Sequence, residues 1–120
     1  MYFTSQEKQA IVRVAVAMQM ADGKNDPKEF IFNRAVFNVI KVENSDIEAA
    51  SELSLIDAAA VIVGMTETEK EFVSAYLGAI IIADGHIDAQ ELALWRLLTM
   101  LCGFPPMNIS DATQKLQKYI

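Results

Sequence analysis

A chain of 120 residues with 52% hydrophobic content carries the material for one ordinary domain with a real core, which argues against disorder. Its formal charge is −6, and its ten Lys and Arg residues are scattered, so no basic run exists to track a phosphate backbone and nucleic-acid binding is not expected. The single cysteine, Cys102, excludes an intramolecular disulfide and a cysteine-based zinc site, and the absence of a signal-like N-terminal pattern adds to the expectation of a cytoplasmic protein.

Thr4-Ser5-Gln6-Glu7 has the form of a capping box and predicts a first helix from this point. The helix continues through Ile11, Val12, Val14, Ala15, Val16, Met18 and Met20, with only Arg13 and Gln19 polar in its second half, so burial on most sides is expected. Gly23 stops it, because glycine tolerates the left-handed conformation needed just past a helix. Asp26-Pro27-Lys28-Glu29 then offers an N-cap, a proline at the first helical position and a glutamate at the third, predicting a second helix to about Lys41. So short a turn makes the pair an antiparallel or steeply crossed hairpin. Ser45 with Glu48 predicts a short helix, and Ser54 to Val63 another before Gly64.

Thr66 with Glu69 opens the next long helix, which ends near Gly85. It contains the longest charge-free apolar run, Phe72 to Ala83; at about a dozen residues against the roughly 20 that cross a bilayer, this run is expected to lie inside protein, with no membrane insertion. Gly78 within it predicts a close helix crossing that excludes a side chain. Asp88 with Glu91 starts a helix ending near Gly103, with Ile87 and Leu92 at the positions of a hydrophobic staple. Pro105-Pro106 breaks the chain, and Asp111 with Gln114 predicts a last short helix to about Lys118. The sum is an all-α chain of about seven helices, four long and three short.

The order of these signals repeats. Displaced by 62 residues, Thr4, Glu7, Lys8, Ala17, Ala21, Asp22, Gly23, Asp26, Glu29 and Arg34 fall on Thr66, Glu69, Lys70, Ala79, Ala83, Asp84, Gly85, Asp88, Glu91 and Arg96, ten identities in 31 positions without a gap. A unit that cannot bury its apolar face alone buries it against its copy, so a pseudo-twofold bundle is expected. One domain, 1–120, is read, with repeat halves at about 4–41 and 66–103, bridging helices within 45–64 and a C-terminal helix at 111–119.

The repeated acidic turn is the one candidate for chemistry. With Gly23 at the sixth position of a calcium-binding EF-hand loop, the first and third ligands would be Met18 and Met20, and in the second copy Ile80 and Ile82, so an EF-hand is excluded. Gly23 as a helix stop and Asp26 with Glu29 as a cap account for three of the recurring positions structurally. Asp22 and Asp84 lie in the last turn of a helix, facing the negative end of its dipole, and need compensation. Three forms are open: a bond to amide hydrogens of their own turn, an ion pair with Arg34 or Arg96, or a divalent cation. The candidate metal ligands are therefore Asp22, Asp26, Glu29, Asp84, Asp88 and Glu91, with calcium or magnesium as an optional ion and no cofactor required. His86 aligns with Lys24 and is read as a solvated turn residue, and Trp95, Met18, Met20 and Met100 are read as core. No nucleophile has an identifiable base, so no enzymatic activity is expected. Between Lys41 and Lys70 seven acids (Glu43, Asp46, Glu48, Glu52, Asp57, Glu67 and Glu69) occur with no base among them, either as solvated helix faces or as a docking surface for a basic partner.

The alanine-aspartate-glycine turn followed by glutamate, twice within seven helices, resembles the tellurite-resistance TerB-like family and the related N-terminal domain of DnaJ-like membrane co-chaperones. The resemblance spans about Thr4 to Gly103. It implies an all-helical pseudo-twofold domain in tellurite, stress or metal-ion responses, with metal held by the acidic turns, here Asp22, Asp26, Glu29, Asp84, Asp88 and Glu91. Asn25 departs from the apolar residue usual in the family. The expected function is a non-enzymatic domain acting through a protein partner, with optional divalent-cation binding at the turns. The alternative is a structural adaptor whose turns only cap helices and whose acidic segment 43–69 docks a partner.

Overall fold

The computed structural model describes the chain from Met1 to Ile120 except Asp22, Lys24, Asn25, Asp26 and Asp84 and the side chains of Pro27, Glu29 and Phe30. Among the described residues seven α-helices follow in order: α1 Ser5–Met20, α2 Pro27–Val39, α3 Asn44–Ser51, α4 Leu55–Val63, α5 Glu67–Ile82, α6 Ala89–Cys102 and α7 Ala112–Gln117, the last preceded by a 3₁₀ turn at Ile109–Asp111. Among the described residues there is no strand, and no helix is long and apolar enough to cross a membrane.

The caps lie where the repeat places them. Thr4 accepts the Glu7 amide at 3.2 Å while Glu7 accepts the Thr4 amide at 2.9 Å, and Thr66 and Glu69 do the same at 3.1 and 2.9 Å. Each such pair satisfies two amides that the helix cannot, contributing on the order of 1 kcal/mol. α1 and α5 are both 16 residues long, and α2 and α6 begin 62 residues apart at Pro27 and Ala89. The correspondence extends past the predicted motifs to the ends of α2 and α6. There Lys41 and Gly103, again 62 apart, are both left-handed with φ 63° and 70°. The amides that follow reach back alike, Val42 to the Phe37 carbonyl at 2.9 Å and Phe104 to that of Thr99 at 3.1 Å.

Packing repeats the pattern. α1 lies against α5; α1 meets α2 and α6 as α5 meets α6 and α2; and α3 covers α1 as α7 covers α5. α4 has no counterpart and bridges α1 to α6. α5 forms the axis of the core, buried continuously from Phe72 to Ile81, with Phe3, Tyr76 and Tyr119 around the Phe72 ring at centroid distances of 5.6, 6.3 and 5.8 Å. Gly78 is the predicted close crossing: a Cβ there would sit 2.7 Å from the Ala112 Cβ of α7 and 3.0 Å from Cζ2 of Trp95.

Several expectations are corrected. α1 is buried on the faces that carry Ile11, Val14 and Met18 but leaves Val16 and Met20 open. Met20 and Met100 are therefore surface residues, while Met18 and Trp95 are core. The second helix stops at Val39, because the chain turns left-handed at Lys41. α3 starts early, at Asn44 after an N-cap at Glu43 instead of Ser45, with the Asp46 carboxylate accepting the Glu43 amide at 3.0 Å. Asp111 does not cap α7, since the chain has already entered a 3₁₀ turn and Asp111 is itself in right-handed helical geometry. Of the seven acids between Lys41 and Lys70, Asp46 is buried beneath α3, within 3.5 Å of Gln9 Nε2, and so belongs to the packing rather than to any docking surface.

Candidate functional site: the acidic turns and the groove over the first helix

Both helix stops are built alike. Gly23 and Gly85 adopt φ 75° and 81°, and each donates its amide to the carbonyl three residues earlier, Met20 and Ile82, at 3.0 Å. Positive φ is open to glycine at little cost, as a helix stop requires. In the second turn Asp88 is extended, and its Oδ1 accepts the Gln90 and Glu91 amides at 2.8 and 3.0 Å. This is an N-cap in the position the sequence predicts. Oδ2 of Asp88 lies outside those two bonds. Glu91, one turn into α6, is only 2% exposed. A carboxylate there gains from the positive end of the helix dipole, which offsets part of its burial.

Of the six candidate ligands, Asp88 and Glu91 are thus drawn into one helix turn. Asp22, Asp26 and Asp84 lie outside the described residues, as does the side chain of Glu29 in α2. Among the described residues no three His, Cys, Asp or Glu side chains converge as a metal cage would require. His86 is exposed, as a solvated turn residue should be.

Behind the turns runs a buried polar chain that periodicity did not reveal. Tyr76 donates its hydroxyl to Asn33 Oδ1 at 2.6 Å, and Asn33 Nδ2 donates to Gln19 Oε1 at 2.7 Å, tying α5, α2 and α1 together. Burial pushes the Tyr76 phenol well above its ordinary value, keeping it a donor. Gln19 stood out in the sequence as a polar residue on an apolar helix, but its partner Asn33 lies 14 positions along the chain and Asn33's partner Tyr76 a further 43, beyond any local pattern.

A second feature is a groove of about 620 Å³ along α1, floored by Val12, Val16 and Met20 and walled on the α3 side by Ile47, Ala50 and Ser51. Gly78, the counterpart of Val16, lets α7 settle onto α5 through Ala112, whereas at the equivalent place on α1 Val16 lines the groove. Arg13 closes one end by donating from Nε to the Leu53 carbonyl at 2.7 Å.

No protein-family model matches this sequence, and no curated protein does. A crystal structure of a protein of unknown function from Porphyromonas gingivalis shares the fold with a TM-score of 0.85 and 36% sequence identity, over 98% of this chain and 92% of that one. The two chains belong to one family. Across nearly their whole length both sequences specify the same helical arrangement.

Cys102 takes no part in either feature. It is buried at the end of α6, and desolvation pushes its thiol up to about 11, against a smaller opposing effect of the Lys70 ammonium. Such a thiol is a small hydrophobe rather than a nucleophile.

Proposed function

We propose that this chain is a non-enzymatic TerB-like domain of a stress or metal-ion response, which binds a protein partner and takes up a divalent cation, calcium or magnesium, at its duplicated acidic turns. The observation that carries the reading is the second turn, where Asp88 spends one oxygen on the helix cap and Glu91 sits buried in the same turn. A carboxylate that caps through one oxygen retains lone pairs for a hard cation. The open apolar groove over α1 supports a protein partner, because apolar grooves between helices accept an amphipathic helix. The lack of a nucleophile with a base supports a binding role over catalysis.

The second reading, an adaptor whose turns are only caps, is favoured by the same Asp88 geometry, since two amide bonds already account for that side chain. In that case the exposed acids Glu43, Glu48, Glu52, Asp57 and Glu67 dock the partner. Calorimetric titration of chelator-treated protein with calcium, magnesium and manganese separates the two. Saturable heat that disappears in an Asp22→Asn, Asp84→Asn variant supports the cation site. Silence at millimolar ion leaves the adaptor.

A further inference from the structure

The recurring Arg34 and Arg96 are explained neither by a cap nor by a helix stop, yet each lines a cleft, and the two clefts are copies of one another. The smaller, of about 280 Å³, is lined by Val12, Asn33, Arg34, Phe37 and Ile47 among others. The larger, of about 590 Å³, has at the positions 62 residues on Ser74, Trp95, Arg96, Thr99 and Ile109. Arginine at the rim and isoleucine at the mouth are kept in both, while the interiors have diverged. In the first copy Phe37 occupies the space where the second has Thr99, and Asn33 is consumed by its bonds to Gln19 and Tyr76. In the second copy the wall is indole, with Trp95 Nε1 already committed to the Ser74 carbonyl at 3.0 Å.

We propose that the larger cleft binds a small amphiphilic carboxylate, its apolar body against Trp95 and Met107 and its acid group paired with Arg96, the Ser74 hydroxyl serving as a second donor. Three observations converge. The volume falls within the roughly 300–1,000 Å³ usual for small-molecule sites, and the lining is mostly apolar with a few polar groups. Arg96 is the one charged residue among the described residues that line it, which suits a single carboxylate better than a phosphate, and guanidinium matches carboxylate in bidentate geometry. Ser74 forms part of the wall and is 1% exposed, and its hydroxyl has no hydrogen-bond partner among the described residues. A buried hydroxyl in that state is rare in folded chains and calls for an acceptor that the protein itself does not supply. Val12 stands at that position in the smaller cleft, so the polar anchor exists in one copy alone.

Trp95 is the chain's one tryptophan and part of the wall, so its emission reports occupancy. Phenylbutyrate serves as the probe, and phenylbutanol as its neutral match. Expected is a saturable change in emission with phenylbutyrate, with affinity falling about tenfold in Arg96→Gln, where the ionic hydrogen bond is lost, and unchanged in Arg34→Gln. Ser74→Ala is expected to weaken binding without lowering the melting temperature, since its hydroxyl has no partner to lose and its unmet burial cost is relieved. Equal affinity for the alcohol, retention of full affinity in Arg96→Gln, or no saturable change up to about 10 mM probe overturns the proposal.

Discussion

Gly78→Ala places a methyl where α5 meets α7. Carbon atoms in contact rest at about 3.5–4.0 Å, whereas the added Cβ would lie 2.7 Å from the Ala112 Cβ and 3.0 Å from the Trp95 ring. Ala112 is fully buried, and its Cβ moves only with the backbone of α7, so the helix itself must shift by most of an ångström. Overpacking of this kind costs about 1–3 kcal/mol. Against it, alanine is favoured over glycine in a helix interior by about 1 kcal/mol. Because the conflict involves backbone-anchored atoms on two neighbours, the upper end of the cost applies, leaving a net loss of about 2 kcal/mol, or roughly 8 °C for a domain of this size. Urea unfolding followed by circular dichroism reads it as a lower midpoint with an unchanged slope. Removing the opposing methyl with Ala112→Gly should make the two changes less damaging together than their sum. A Gly78→Ala protein that melts about 4 °C higher, as helix propensity alone demands, would refute the close crossing of α5 and α7.

The remaining predictions concern other elements. Lys41→Gly should stabilise by about 0.5 kcal/mol, because a left-handed lysine costs on the order of 1 kcal/mol and glycine returns part of that gain as unfolded-state entropy; a lower melting temperature would contradict it. Tyr76→Phe should cost about 1–3 kcal/mol by leaving Asn33 Oδ1 in the core without its donor, and a neutral result in denaturant melts would mean that water takes its place. Glu71 accepts the Tyr119 hydroxyl at 2.6 Å and the Lys118 ammonium at 3.0 Å, and these bonds hold its carboxyl below the ordinary value, while the same contact pushes Tyr119 up to about 12. The lowered acid stabilises above its unfolded pKa and loses that contribution as pH falls through the folded one; the raised phenol stabilises below its unfolded value and loses it as pH rises towards about 12. Glu71→Gln should therefore melt lower than the parent at neutral pH, with the gap closing at both extremes, and a pH-independent gap would disprove the linkage.

Much of the fold was legible because its signals are short-ranged. Thr4 with Glu7, Thr66 with Glu69, Ser54 with the Asp57 amide, and Asp88 with the Gln90 and Glu91 amides are bonds across two or three residues, so each is contained in its own stretch of sequence. Misreadings arose where two local patterns competed: Ser45 looks like a better cap than Glu43, but Asp46 turns back beneath α3 and selects the earlier start. The candidate site was legible as a motif and not as an assembly. Asp88 caps as its spacing predicts, but the burial of Glu91 and the polar chain from Gln19 through Asn33 to Tyr76 depend on how the hairpins lie on one another.

By itself the sequence determines an all-helical chain doubled at a spacing of 62 residues, since helix starts and stops are chosen by neighbouring atoms and a duplicated string of caps must give duplicated hairpins. Tertiary structure decides how the copies come to differ. At equivalent positions Gly78 admits the close approach of α7 while Val16 lines an open groove beside α3, and each outcome depends on which distant helix arrives there. Those are contacts between residues far apart in the chain, set by packing rather than by local preference.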